Sequence, residues 1–226
     1  MSDFTLYIGN KAYSSWSLRG WLMCKLAGIR FDEVTHDMGA PDWFEWVKSI
    51  SPTARVPVLR HSDAKMGDVM VWESIAIAEY LAELYPQADM WPKDVVARAH
   101  ARAVSHEMHA GFADLRNEMW MTLLGKRPGR GRTAGALADI ARIVTLWRET
   151  RTKFGAGGPY LFGARFTIAD AMYAPVAIRF RAWEPELPAD AEAYVAALWD
   201  HPWMVEWRTA ALLEKPIARY EALSPL

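Results

Sequence analysis

The chain is poor in cysteine, in net charge and in long apolar runs, and each shortage closes off a class of proteins. A single cysteine, Cys24, excludes an intramolecular disulfide framework and any metal site built on several thiolates. That fits a reducing compartment. Lysine and arginine number 26 against 27 acidic residues, a formal net charge of −1, so no global field draws the protein to nucleic acid or to an anionic membrane. No segment approaches an uninterrupted apolar span of about 18 residues. The start, MSDFTLYIGN, lacks the basic lead and long apolar run of a secretion signal, so a cytoplasmic protein without a membrane span is expected. Internal repeats and long low-complexity tracts are also missing. One local exception to the charge balance, GKRPGRGR at residues 125–132, reads as a solvated Gly/Pro connection.

What is present describes an ordinary globular chain of 226 residues, 52% apolar and 23% charged, long enough for one large domain or two modest ones. Twelve tryptophans and eleven methionines serve either core packing or an apolar cleft. Phe4 to Ile8 reads as a buried strand, and SSWSLRGWLMCKLAGI, from Ser14, as a helix closed by Gly28. A strand at Phe31 to Thr35 follows, then a helix in APDWFEWVKSI with Pro41 in its first turn. VPVLR and VMVW are short strands around the turn HSDAKMGD, and Ser74 to Leu84 is an amphipathic helix stopped by Pro86. Residues 1–84 therefore read β-α-β-α-β-β-α. YPQADMWPKD, residues 85–94, is a linker, and beyond it the strands vanish. Helices are expected over Val95 to about Leu124, Thr133 to Phe154, Thr167 to about Phe180, Ala189 to Trp199 and Pro202 to Leu213. An α/β unit over 1–84 and an all-α unit over 95–226 follow.

Several short stretches carry possible chemistry. In WESIAIAEYL, residues 72–81, a carboxylate and a hydroxyl enter the helix together. Ser74 either caps the free N–H groups or, with them, holds a ligand's carboxylate, while Glu73 meets an ammonium. YSSWSLR, residues 13–19, delivers Ser14 and Ser15 to another helix start, as caps or as donors to an anion such as a thiolate. In SPTARVPVL, Pro57 opens a strand and holds Val56 extended. Tyr7, near the end of the first strand, is either core or a second hydroxyl donor. Cys24 has no CxxC partner and reads as packing. HEMH at residues 106–109 spaces two histidines by three rather than four, so no metal site is expected there. Met108, Phe112 and Met119 recur along the expected long helix and either wall a pocket or pack between helices. In FTIAD, Thr167 and Asp170 have the spacing of a capping box.

The order of these motifs, a Val-Pro strand and ESIAIAEYL followed by a helical half containing FTIAD, resembles the cytosolic glutathione transferases over essentially the whole chain. SSWSLR is similar to the Ser-Ser-Cys-x-x-Arg signature of the zeta class, with Ser14, Ser15 and Arg19 matching and Trp16 where the zeta cysteine stands. The resemblance implies a thioredoxin-like first domain, an all-α second domain and a homodimer. It implies glutathione as co-substrate, with neither metal nor nucleotide, held by Glu73 and Ser74, by the backbone of Val56 before a cis Pro57, and by Lys48 or Arg55. The implied reaction is conjugation of the thiolate to small hydrophobic electrophiles, a detoxification chemistry, in a pocket walled by Trp16, Met108, Phe112 and Met119. A zeta-like glutathione-dependent cis–trans isomerase and a non-catalytic ligand-binding protein are the alternatives. Ser14 is the expected thiol activator, with Ser15 and Tyr7 as rivals. At a cysteine-like pKa of about 8.5 only about 3% of the thiol is ionised at pH 7, and lowering that value by ~2 units needs ~2.7 kcal/mol.

Overall fold

A computed structural model describes residues 2–65 and 67–222. Met1, Met66 in the expected turn, and residues 223–226 at the end of the expected helical unit lie outside them. Four strands, β1 (Phe4–Ile8), β2 (Asp32–Thr35), β3 (Val58–Asp63) and β4 (Gly67–Trp72), form one mixed sheet in the order β2-β1-β3-β4. β1 runs parallel to β2 and antiparallel to β3, and β4 is antiparallel to β3. Period-two alternation sends Phe4, Leu6 and Ile8 into the core and Thr5 and Tyr7 to the other face. Three helices accompany the sheet: α1 (Ser15–Ala27), α2 (Trp43–Ile50) and α3 (Ser74–Leu84). Together they make the thioredoxin-like α/β unit expected.

Gly28 ends α1 in the left-handed region at φ 70°, its N–H bonding Lys25 while the Ile29 N–H bonds Cys24. Cys24 is fully buried, which pushes its thiol far above the ordinary value and leaves it a packing residue. Pro41 falls two residues before α2 rather than within its first turn, and Asp42 bonds His36 instead of capping.

The helical unit contains α4 (Val95–Ala110), α5 (Ala113–Glu118), α6 (Ala134–Phe154), α7 (Ile168–Trp183), α8 (Ala189–Asp200), α9 (Pro202–Ala211) and α10 (Ala218–Ala222). The helix expected to run unbroken to Leu124 stops at Gly111. A Cβ there would sit 2.8 Å from the Glu107 carbonyl oxygen, and Phe112 takes φ 58°, turning the chain into the short α5. α7 is apolar nearly all round and forms the centre of the unit, with Trp147 of α6 packed edge to face against its Tyr173 and Phe180 and against Tyr194 of α8. Its start is the capping box anticipated from FTIAD: Asp170 accepts from the Thr167 N–H and hydroxyl at 2.9 and 2.8 Å.

The two units share one hydrophobic core, and α1 packs on both α3 and α7. A polar link also joins them. Glu79 on α3 accepts from Arg102 on α4 at 2.9 and 3.1 Å and from the Trp91 indole at 3.2 Å. The Arg102 bonds hold the Glu79 carboxyl below its ordinary value of 4.5. A depressed carboxyl stabilises the fold above its unfolded pKa, and the contribution fades as pH falls through the folded one. The pair is about one-third exposed, so solvent screening limits it to about 1 kcal/mol or less. Urea midpoints of the parent should therefore exceed those of Glu79→Gln at neutral pH, the gap closing below about pH 4.5. An equal gap at pH 3 and pH 7 would remove the charge from the explanation.

Candidate active site

One cleft of about 610 Å³ lies where the α/β unit meets the helical unit. Its α/β wall carries Ser14, Ser15 and Trp16 at the start of α1, the 53–57 segment ahead of β3, and Glu73 ahead of α3. The helical wall carries His109, Arg116, Trp120 and Arg179. Tyr13 and Tyr220 stack at 4.8 Å between ring centroids and close one side.

The hydroxyls at α1 differ in what they do. Ser14 is the N-cap: its Oγ accepts from the Ser17 N–H at 3.2 Å and donates to the Ser17 Oγ at 2.7 Å. The Ser17 hydroxyl accepts in turn from the Gly9 N–H. Ser14 Oγ is thus fixed at the positive end of α1, with a proton that a stronger acceptor in the cleft can take over. Ser15 Oγ accepts from Arg179 Nη2 at 3.4 Å. The Tyr13 hydroxyl donates to Glu221 and is pushed up to about 12, by burial first and then by that bond. It holds its proton throughout the neutral range.

Capping does not explain WESIAIAEYL. Glu73 is the N-cap of α3 and makes no side-chain cap bond, while the Ser74 hydroxyl is fully buried with no partner. Glu73 takes φ 76°, a conformation costly for a non-glycine residue. Its carboxylate bonds His109 Nε2 at 2.9 Å, across to the helical unit. The Val56–Pro57 peptide bond is cis, and Pro57 packs against Gly20 of α1, where a Cβ would lie 2.7 Å from the proline ring.

Five expected positions fall elsewhere. Tyr7 shares the opposite face of β1 from Leu6 and Ile8, beside Trp46 of α2 and bonded to Arg60, so it does not line the cleft. Met108, Phe112 and Met119 are core residues, at most 7% exposed, and line none of it. Their spacing recorded helix packing, and the break at Gly111 turned the last two off the α4 axis. Arg55 lines the cleft; Lys48, in the last turn of α2, is exposed and does not.

Sequence reasoning missed Arg116 and Arg179, the cations of the helical wall. Arg19, matched in the sequence, is fully buried on α1, its Cζ 4.4 Å from the centroid of the Trp16 ring, and donates to the Met172 and Ser15 carbonyls. Burial first, then Arg179 and Arg116, push its guanidinium well below the ordinary value. Arg179 is lowered to about 9 by burial and by Arg116. A weak signal existed for Arg179, one of two arginines on the mostly apolar α7, of which Arg181 is exposed and Arg179 buried. By contrast, the cations of the 125–132 loop make internal bonds: Lys126 with Glu184, Arg127 with Glu221, and Arg132 with the Glu184 carbonyl. Among the described residues no group of three His, Cys, Asp or Glu is placed to hold a metal ion, and no helix is long and apolar enough to cross a membrane.

Residues 13–84 match the family model for the glutathione S-transferase N-terminal domain, and residues 95–210 match that for the C-terminal domain. The chain belongs to the glutathione S-transferase family. Relatives of this transferase include a probable maleylacetoacetate isomerase of Caenorhabditis elegans, 29% identical over 174 residues, 76% of each chain. Another is glutathione S-transferase theta-2 of Mus musculus, 30% identical over 193 residues, 79% of this chain and 75% of that one. Among solved structures, a Burkholderia glutathione transferase homolog with bound glutathione superposes with a TM-score of 0.69, at 24% identity, over 92% of this transferase and 98% of the homolog. Glutathione transferase Omega 1C from Trametes versicolor superposes at 0.71 and 17% identity, over 99% and 98% of the two chains. At those identities the structures speak for the fold.

Proposed function

We propose that this glutathione transferase ionises the glutathione thiol at the mouth of α1 and adds the thiolate to a small electrophile held against the helical wall. The observation that carries the reading is a single cleft lined by Ser14 at a helix start, by Val56 and Pro57, and by Glu73 beside the partnerless buried hydroxyl of Ser74. The α-carboxylate of glutathione fits the uncapped start of α3 with Ser74, its ammonium faces Glu73, its cysteinyl backbone pairs with Val56, and Arg55 serves the glycyl carboxylate. The thiol proton leaves to solvent, and Ser14 turns its hydroxyl hydrogen bond from the Ser17 oxygen to the resulting thiolate while the Ser17 N–H keeps the serine oxygen in place. The thiolate's electron pair forms the carbon–sulfur bond, and the electrophile's leaving group or its π electrons accept the displaced pair. Rate comes from ionising and positioning the nucleophile. Assembly as a homodimer belongs to the same proposal, supported by the exposed Met70 and Trp72 on edge strand β4.

Thiolate ultraviolet absorbance of bound glutathione, titrated with pH, tests the assignment. Ser14→Ala should raise the bound thiol's pKa by about 1–2 units toward 8.5 and lower kcat/KM at pH 7 by about 10- to 100-fold. Ser15→Ala should leave that pKa near the parent value. An unchanged thiol pKa in Ser14→Ala removes Ser14 from the role.

A second reading, glutathione-dependent cis–trans isomerisation, draws on the likeness to maleylacetoacetate isomerases. It would return glutathione unchanged, and product analysis with a maleyl-type substrate separates it from conjugation.

A further inference from the structure

Three guanidinium groups surround Trp16 and Ser15, and none of them is paired with a carboxylate. Arg19 donates to the Met172 carbonyl at 3.0 Å and the Ser15 carbonyl at 3.4 Å, leaving Nη2 buried without a partner. Arg179 makes only long bonds, 3.3 Å to the Pro175 carbonyl and 3.4 Å to Ser15 Oγ, and its Nε is buried without a partner. Arg116 donates to the His109 carbonyl and lies 5.7 Å from the centroid of the Trp16 ring. All of these acceptors are neutral. Outside the cleft, Arg60, Arg102, Arg142, Arg148 and Arg165 each hold an aspartate or glutamate, while Arg151 and Arg208 donate to single carbonyls and lie apart from one another rather than on a shared cavity. Unpaired charge out of water is costly, and a fold that keeps the half-buried Arg116 and the buried Arg179 on one cleft wall, with Arg19 buried behind Trp16, keeps them for an anion.

Charge counting identifies which anion. Against three guanidinium groups stand a glutathione thiolate at Ser14 and Asp139, which acts on Arg116 through space while its own oxygen accepts from the Leu115 N–H. Glu73, the carboxylate on the cleft wall, is bonded to His109. A second anion is therefore needed, and the guanidinium fork matches a carboxylate's two oxygens. The same cleft offers the aromatic rings of Trp16 and Trp120, surfaces for a flat π frame, and the Trp120 indole N–H is buried without a partner. We propose that Arg19, Arg116 and Arg179 form a carboxylate subsite, and that the electrophile accepted here is a planar conjugated or aromatic carboxylate rather than a neutral apolar molecule. The inference rests on the cleft being the transferase site. Arg116 and Arg179 are specificity residues, and Arg19 supports them from beneath Trp16.

The test compares 4-chloro-3-nitrobenzoate with 4-chloro-3-nitrobenzamide, which differ in charge but hardly in shape. In both, the glutathione sulfur displaces chloride from the ring. Rates are divided by those of the uncatalysed reactions. The parent should prefer the acid, and Arg116→Gln and Arg179→Gln should each lower the acid-to-amide ratio of kcat/KM by about 10- to 100-fold. Tryptophan fluorescence titrations of the parent with 3-nitrobenzoate and 3-nitrobenzamide, without glutathione, should show the acid binding at least about tenfold more tightly. The proposal is overturned if the parent treats acid and amide alike, or if the variants slow both equally, since the guanidinium groups would then serve the thiolate or the fold. If neither chlorinated compound is conjugated, the transferase reading fails, while the fluorescence titration still decides the subsite.

Discussion

Asp170→Ala should lower the unfolding free energy by about 3–5 kcal/mol, visible as a fall in the urea midpoint at nearly constant slope. The carboxylate is completely buried and serves three segments at once. One oxygen accepts from the Thr167 N–H and hydroxyl, the other from the Leu161 N–H at 3.0 Å and the Tyr194 hydroxyl at 2.8 Å. Alanine leaves four buried donors without an acceptor, each costing roughly 1–3 kcal/mol before relaxation and water entry reduce the sum. Burial pushes the Asp170 carboxyl above its ordinary range while the four hydrogen bonds oppose that shift. Because the cleft does not include Asp170, the thiol pKa of bound glutathione should stay at the parent value in folded variant protein. A loss below about 1 kcal/mol would show that the network adapts and that the box is dispensable.

Gly20→Ala should also destabilise, for the opposite reason. Alanine in a helix interior is worth about 1 kcal/mol over glycine, so propensity alone favours the substitution. Its methyl group would stand 2.7 Å from both Cβ and Cγ of Pro57, atoms of a rigid ring that has no rotamer to yield. Overpacking of this kind costs about 1–3 kcal/mol and outweighs the propensity gain. The shift required of Pro57 carries Val56 with it, a cleft residue. Glutathione affinity should therefore fall about tenfold or more, measured by calorimetric titration, even where the protein remains folded. Unimpaired affinity would mean that the 53–57 segment is not part of the glutathione site.

Much of the architecture was legible because local signals agreed with one another. Gly28 and Pro86 stop helices at the places their chemistry dictates, while β3 and β4 run further into the expected turn than its polar residues suggested, to Asp63 and from Gly67. The failures have physical causes. AGFADLRNEM contains no proline, and a single glycine within a helix-favouring run does not announce a change of direction. That change depends on how closely the Gly111 backbone passes the Glu107 carbonyl, a contact that only the fold reveals. The site was half legible. Residues at the sheet ends and helix starts of the α/β unit, Ser14, Val56, Pro57 and Glu73, announce themselves through turn chemistry. The opposite wall comes from Arg116 and Arg179, 63 positions apart in the chain, and no local pattern unites them. A search for an apolar stripe found methionines that fill the core instead.

The ring pair formed by Tyr13 and Tyr220 brings nearly the whole length of the polypeptide to one spot. Neither half, expressed alone, would carry a complete reaction chamber. Under the proposed function, recombination that exchanges the latter half between relatives would keep Ser14 and Glu73 while replacing Arg116, Trp120 and Arg179, the part of the electrophile wall that the helical unit supplies. On that reading, what is modified can change largely independently of how sulfur is made reactive.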